Sequence, residues 1–166
     1  MTMRPWMFGA LGAIVLLGAT PLLDGCASPG RLPQRAQLSV TMTGVQEVPG
    51  PGDQRMTGHG TLRVNTRTGE TCWDLYARGG DAATAAHIHR GAAGIAGPIV
   101  IPLATPGADG HSQGCTTLDL ALARELVIQP YGFYANVHTG PFPNGATRGQ
   151  LRSDGPVRRN QRRDDD

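Results

Sequence analysis

The strongest candidates for chemistry in this sequence are three histidines on two stretches of alternating residues. His87 and His89 stand two positions apart, and residues two apart on a strand project from the same face. The same parity places Tyr134, Asn136 and His138 on one face of a second predicted strand. If the two strands are neighbours, the three imidazoles form a set that suits copper or zinc.

A second interpretation of these histidines needs no cofactor. The imidazoles could be purely structural and hydrogen-bond the turn at residues 91–97 and the loop before Arg148. His59 and His111 each lie beside glycine in a predicted loop, where either could add a fourth ligand, although exposed side chains are the simpler expectation. In a metal site, Tyr134 and Asn136 would fix the imidazole tautomers from outside the ligand set.

Other kinds of catalytic site find little support. All 15 basic residues are Arg, which excludes lysine Schiff-base chemistry and P-loop lysines. No G-x-S-x-G elbow is present, and Ser39 and Ser112 lie in no recognisable nucleophile setting. The Gly-rich stretch 91–97 precedes Pro98, so it predicts a wide turn rather than a helix-opening phosphate loop. If the protein is an enzyme at all, copper-dependent redox chemistry is the expectation.

The elements that must position these residues follow a hydrophobic period of two, not 3.6. Alternating stretches separated by turn signals, such as residues 65–69, predict seven or eight short strands over residues 36–152. Gly 24 and Pro 13 in 166 residues argue against long helices. The run 98–103 holds two prolines and predicts an edge strand, whereas 118–128 predicts a short helix. The fold class is therefore all-β, a single Greek-key sandwich or barrel.

Residues 1–25 have the features of an export signal rather than of a folded element. Arg4 precedes an apolar run that ends in a Leu-x-Gly-Cys sequence at Cys26. This ending resembles a bacterial lipobox, whose Cys is lipidated; a plain signal peptide or an uncleaved anchor are the alternatives. By resemblance to sorting rules of double-membrane bacteria, Ala27 favours the outer membrane. We therefore expect a membrane partner through the lipid at Cys26, a tether over 26–35, and a location at the periplasmic face or the cell surface.

The cysteine count and the charge distribution complete the domain plan. Cys72 and Cys115 remain after Cys26 is set aside, and an even pair in an exported chain predicts a disulfide, with two buried thiols as the alternative. Such a bridge would stabilise the fold by about 4 kcal/mol on the chain-entropy estimate. Residues 153–166 combine Arg and Asp with few apolar side chains, which predicts a disordered tail. Arg and acidic residues balance over 36–152, so nucleic acid is not an expected partner.

Short motifs in order along the chain carry a family resemblance over residues 37–152. The motifs are Gln46-Glu47-Val48-Pro49, Gly58-x-Gly60, Ala86-His87-Ile88-His89-x-Gly91, Gly97-Pro98-Ile99-Val100, Tyr134-x-Asn136-Val137-His138-Thr139 and Gly145-x-x-Arg148-Gly149-Gln150-Leu151. Together they resemble the CHRD (chordin) domain. The family's common Gly-Glu-Ile-Arg-Gly is Gly-Ala-Thr-Arg-Gly here, so any role of that glutamate is missing. The resemblance implies an extracellular binding or scaffold module with an envelope protein partner, and no named reaction.

A more distant similarity connects the histidines with a mechanism. A His-x-His strand, a Gly-rich loop, a later strand His and a near-terminal Gly-x-x-Arg resemble the layout of copper–zinc superoxide dismutases, which are Greek-key sandwiches. That similarity implies His87, His89 and His138 as copper ligands and Arg148 as a guide for the anion. No clear counterpart of that family's zinc cluster follows Gly91. Two hypotheses for function therefore stand, a non-catalytic binding module and a copper- or zinc-binding protein with dismutase-like activity.

Overall fold

Eight strands follow one another along residues 32–156, the part of the chain that the computed structural model describes. They are β1 (Arg35–Thr43), β2 (Thr57–Asn65), β3 (Glu70–Arg78), β4 (Ala83–Arg90), β5 (Ile99–Leu103), β6 (His111–Thr117), β7 (Phe133–Thr139) and β8 (Thr147–Pro156). The same range contains one α-helix, α1 (Leu120–Ile128), and two 3₁₀ turns, at Gly44–Gln46 and Pro130–Gly132. The predicted all-β class and the predicted short helix are both confirmed.

All eight strands belong to one antiparallel sheet in the order β5-β4-β7-β8-β1-β2-β3-β6. Neighbours such as β4 and β7, or β3 and β6, are not consecutive in the chain, as expected for a Greek key. The sheet curls until its edges approach each other, where Ser112 Oγ of β6 donates a hydrogen bond to the carbonyl of Ala104, directly after β5. The result is a nearly closed, barrel-shaped sheet, with β5 at an edge as its prolines predict.

The core fills the inside of this sheet with alternate residues of each strand. On β4 the inward positions hold Ala86 and Ile88, and on β7 they hold Ala135 and Val137. Because strand residues alternate between faces, the polar residues between these positions must face outward. The helix adds Ala123 and Leu126 to the core, and it begins at Asp119, whose carboxylate accepts a hydrogen bond from the amide of Ala121. Buried members from other strands are Leu38, Val40, Met42, Leu62, Val64, Leu75, Ile101 and Leu151.

The predicted disulfide between Cys72 and Cys115 is present and joins β3 to β6. The two cysteines lie directly opposite each other in the register of the two strands. β6 itself was not predicted, because its sequence is almost entirely polar and shows no alternation of apolar residues. His111 therefore lies on a strand rather than in the loop expected from the sequence, and His59 likewise lies on β2.

The sheet extends beyond its predicted C-terminal limit. We expected the tail to begin at residue 153, but β8 continues through Pro156, because this stretch pairs with the start of β1. The Asp154 carboxylate also accepts a hydrogen bond of 2.6 Å from Ser39 Oγ. The predicted signal peptide over 1–25, the lipidation site Cys26, the tether up to residue 31 and the tail from 157 lie outside the described residues. Within 32–156, no helix combines the length and the apolar character that crossing a membrane requires.

Candidate metal centre

The two strands that carry the three histidines, β4 and β7, are direct neighbours in the sheet. In the register of the pair, His87 lies opposite Asn136 and His89 lies opposite Tyr134, with His138 further along β7. All three imidazoles therefore stand on the outer face, as strand parity predicts. One ring nitrogen from each histidine lies within 4.8 Å of those of the other two. The sequence-derived grouping of the histidines is thus present in the structure.

Two backbone carbonyls determine the tautomers of His89 and His138. The Nδ1 of His89 lies 2.9 Å from the carbonyl oxygen of Gly97, and the Nδ1 of His138 lies 2.9 Å from that of Pro143. A carbonyl can only accept, so each Nδ1 carries the proton and each Nε2 keeps a lone pair. His87 Nδ1 lies 3.1 Å from His138 Nε2 and is the donor of that contact. The remaining nitrogen, His89 Nε2, is buried and has no hydrogen-bond partner.

Burial keeps His87 and His89 in the neutral form. It is the largest cause that lowers the pKa of each imidazole below its ordinary value, and the neighbouring histidines lower both further. For His89, the Gly97 carbonyl acts in the opposite direction and the charge of Arg148 adds a smaller lowering. Neutral imidazole is the form that binds a metal ion, so near pH 7 these two side chains need not lose a proton first.

Tyr134 and Asn136 make contacts different from those expected for them. The Tyr134 ring stacks on the imidazole of His89, with 4.8 Å between centroids and 8° between planes, and its hydroxyl accepts from the amide of Gly97. Asn136 donates to Glu47 Oε1 at 2.7 Å and makes no recorded hydrogen bond to an imidazole. The tautomer-fixing role that we expected from these two side chains therefore belongs to backbone carbonyls. These carbonyls lie in the turn at residues 91–97 and in the loop before Arg148, the two segments that the structural interpretation of the histidines named.

Arg148 lies beneath the loop that joins β4 to β5 and is only 1% exposed. Its Nη2 donates to the carbonyls of Ala92 at 3.0 Å and Ile95 at 2.7 Å. Its guanidinium carbon stands 3.5 Å from the centroid of the Tyr134 ring. An anion guide would have to present this group to solvent, whereas here the guanidinium is occupied by the loop and the tyrosine.

Sequence analysis missed Glu47, a buried acid in the segment that follows β1. Its side chain contacts Asn136 and lies so close to Gly145 that a Cβ at that glycine would collide with the carboxylate. Burial raises the pKa of Glu47 from 4.5 to about 7, against the lowering effects of Arg148 and the Val48 backbone. The only sequence signal for this residue is its place in one of the motifs of the family resemblance.

The two remaining histidines of the described range lie elsewhere on the sheet. His59 on β2 and His111 on β6 stack on Tyr76 from β3, with ring centroids 5.2 and 4.3 Å away. His111 Nε2 also lies 3.2 Å from a carboxylate oxygen of Asp74. Neither imidazole belongs to the three-histidine group, so neither supplies the fourth ligand that the sequence left open.

The fold and the site together define an all-β domain of Greek-key topology with a partly buried imidazole cluster on its outer face. Comparison with family profiles is consistent with this description, since the profile of the CHRD domain matches residues 38–151. This match covers well over half of the chain, and the chain belongs to the CHRD domain family. Neither the curated proteins nor the solved structures contain a significant match.

Proposed function

We propose that this CHRD domain is a binding module that holds a copper ion between His87, His89 and His138. The observation that carries the proposal is His89 Nε2, a buried nitrogen with a lone pair and no partner. A buried polar atom without a partner typically costs about 1–3 kcal/mol, and a ligand that satisfies it recovers that cost. A metal ion is the ligand that this nitrogen and the two neighbouring ones can share.

The spacing of the three nitrogens fits one metal ion after small side-chain movements. Metal–imidazole bonds of about 2.0–2.1 Å put ligating nitrogens of a tetrahedral or trigonal site about 3.3–3.6 Å apart. The 3.1 Å pair of His87 and His138 must open slightly, and the widest gap, within 4.8 Å, must shrink by about 1 Å. His87 would move its ring proton from Nδ1 to Nε2, because Nδ1 is the atom that faces the cluster.

The donor set favours copper over other metal ions. Neutral imidazoles suit copper, zinc, iron and nickel, whereas magnesium, calcium and manganese prefer oxygen ligands. The cluster contains no carboxylate, and Cys72 and Cys115 are joined in a disulfide and offer no thiolate. Among the metals that imidazole suits, the general order of affinities of divalent ions places copper highest.

Metal analysis of protein prepared without a His tag tests the proposal. We expect one equivalent of copper to bind the wild type, and His89→Gln or His138→Gln to abolish uptake while the metal-free variants keep most of their stability. His59→Gln is the matched control, since it removes an imidazole that lies outside the cluster. Wild-type protein that takes up no copper or zinc would contradict the proposal. So would equal, metal-independent destabilisation of both cluster variants, because that result would indicate a structural role.

We also propose that the domain is exported and anchored by a lipid at Cys26, at the outer membrane. The support is the Leu-x-Gly-Cys junction in the sequence, followed by a polar tether that leads to β1. Replacing Cys26 with Ser should release the protein from the membrane fraction. Unchanged membrane association of the Cys26→Ser variant would refute the lipid anchor without affecting the copper proposal.

A protein-binding role is the second candidate, and one observation favours it. Large exposed apolar side chains lie on two segments that meet at the end of the sheet where β4 ends, namely Ile95 and Ile99 on one, and Ile128 and Tyr131 on the other. The segments are joined there by a hydrogen bond from the Gly91 amide to the Gly132 carbonyl. Contiguous exposed apolar patches are typical of interaction surfaces, and these two adjoining segments offer the place for one. An envelope partner would be the expected ligand if the copper titration fails.

A further inference from the structure

The loop between β4 and β5 folds back over the outer face of the sheet, where two side chains of β8 hold it. Gln150 Nε2 donates to the carbonyl of Gly91 at the start of the loop, at 2.9 Å. Arg148 Nη2 donates to the carbonyls of Ala92 and Ile95 further along. The two side chains share the outer face of the sheet, since residues two apart on one strand lie on the same face. The loop is thus attached to a strand that is two places away from β4 in the sheet.

Tyr134 connects this attachment with the metal site. Its strand, β7, lies between β4 and β8, and its ring contacts the imidazole of His89 as well as the guanidinium of Arg148. Its hydroxyl accepts from the amide of Gly97, whose own carbonyl accepts from His89 Nδ1. His89 is therefore held by one stacked ring and one carbonyl, and both of these depend on groups that Arg148 contacts or anchors.

We propose that Arg148 is a positioning residue for His89. By fixing the β4–β5 loop and the ring of Tyr134, it holds the imidazole so that Nε2 faces His87 and His138. It does not touch the three metal-facing nitrogens, so it acts through the loop and the tyrosine. The inference rests on the proposed copper site for its affinity test, and it has a second test in the metal-free protein.

The chemistry of the guanidinium explains why this position needs Arg rather than Lys. A planar guanidinium can donate to two carbonyls in its plane while its face lies against an aromatic ring. An ammonium group on a flexible stem offers a point charge and no face that stacks. Arg148→Lys is therefore expected to keep the charge and much of the volume but to lose the orientation of the loop.

The metal-free test follows the proton that His89 shares with the Gly97 carbonyl. In wild-type protein the buried Nδ1–H should exchange slowly with solvent and give a distinct imidazole signal in nitrogen-labelled NMR spectra. We expect Arg148→Lys and Arg148→Gln to broaden or abolish this signal, whereas Arg152→Gln should leave it unchanged. Arg152 is the matched control because it is an exposed Arg on the same face of β8. A His89 signal that is unchanged in both Arg148 variants would overturn the proposal.

The affinity test uses a double-mutant cycle between Arg148 and Tyr134, which contacts both Arg148 and His89 but is not one of the three proposed ligands. Substitutions next to metal ligands typically weaken binding about 10–100-fold, and we expect that loss for Arg148→Gln and Arg148→Lys in copper competition with a chelator. If Arg148 acts through Tyr134 and the loop that Tyr134 holds, the same substitution should add less than about threefold in a Tyr134→Leu background. Losses that multiply in the double variant would overturn the proposal.

The two proposals fail in different ways. Wild-type protein without copper affinity refutes the proposed function, and the NMR comparison then decides alone whether Arg148 positions His89. Melting curves without metal identify any variant that is globally unfolded. If Arg148→Gln proves too unstable to analyse, Arg148→Lys carries both tests, because its retained charge and stem favour a folded domain.

Discussion

Replacing Glu47 with Gln should stabilise the domain at pH 8 and leave its stability nearly unchanged at pH 4.5. Burial raises the pKa of Glu47 from 4.5 to about 7 in the folded state. At pH values between 4.5 and about 7, Glu47 keeps its proton in the folded protein but has released it in the unfolded chain. The stability that this group contributes is therefore full below pH 4.5 and is lost as the pH rises through about 7. Gln has the same shape, can accept the hydrogen bond from Asn136 and does not ionise.

The size of the effect follows from the difference between the two pKa values. About 2.5 pKa units correspond to at most about 3.4 kcal/mol of unfolding free energy. Relaxation of the folded protein around the ionised carboxylate offsets part of this cost, so we expect a gain of about 1–2 kcal/mol for the Gln variant at pH 8. In a domain of this size, that gain raises the melting temperature by about 3–8 °C.

Urea unfolding of both proteins at pH 4.5, 6 and 8 measures the effect, with the disulfide intact and a chelator present. The lowered pKa values of His87 and His89 make folding more favourable as the pH rises toward 6.5, but both proteins contain these histidines. Their contribution cancels when the two unfolding free energies are subtracted. If the wild type instead gains stability over the variant between pH 4.5 and 8, Glu47 is ionised and paired with Arg148, and the reasoning is refuted. A difference that does not vary with pH refutes it as well.

Other perturbations test the disulfide, the sheet and the metal site. Replacing Cys72 and Cys115 together with Ser should cost about 4 kcal/mol in urea unfolding, and equal midpoints would contradict the chain-entropy argument. Gly149→Ala should destabilise the domain by about 1–3 kcal/mol, because its Cβ would collide with a backbone carbonyl of β1. Gly140→Ala has open space and should be neutral, so equal melting temperatures of the two variants would refute the collision. Copper at 100 times its dissociation constant should add about 2.7 kcal/mol to the wild type and nothing to His89→Gln.

Strand parity alone predicted which residues share the outer face. Once Ile88 and Val137 are inside, their neighbours on β4 and β7 must be outside, and no tertiary information is needed for that step. The adjacency of β4 and β7, by contrast, does not follow from strand parity. Two strands and a helix separate them in the chain, and only the Greek-key crossing brings them together. From the sequence, the histidines could be grouped only on the assumption that the two strands are neighbours.

The structural interpretation of the histidines named the two loops that orient the imidazoles, but residue types could not indicate which atoms of those loops do so. The carbonyls of Gly97 and Pro143 are backbone atoms, which every residue possesses, and their positions depend on how two loops return to the sheet. Glu47 likewise sits in a loop whose sequence gives no sign of burial. Arg148 was found by its motif, but its predicted role as a guide for an anion was wrong. In the structure its guanidinium contacts loop carbonyls and an aromatic ring.

The convergence of separate motifs gives the family resemblance a physical meaning. The His-x-His and Tyr-x-Asn-x-His segments supply the three clustered imidazoles and the stacked ring, because each alternates on a strand. The Arg-Gly-Gln segment of β8 supplies two outward side chains that hold the loop, and Gly149 stands between them, where a Cβ would collide with a backbone carbonyl of β1. These motifs are distant in the chain but meet on one patch of the outer face. Residues whose only role was to fill the core would not be expected to meet on the outer face. We therefore infer that these motifs maintain this patch as well as the barrel.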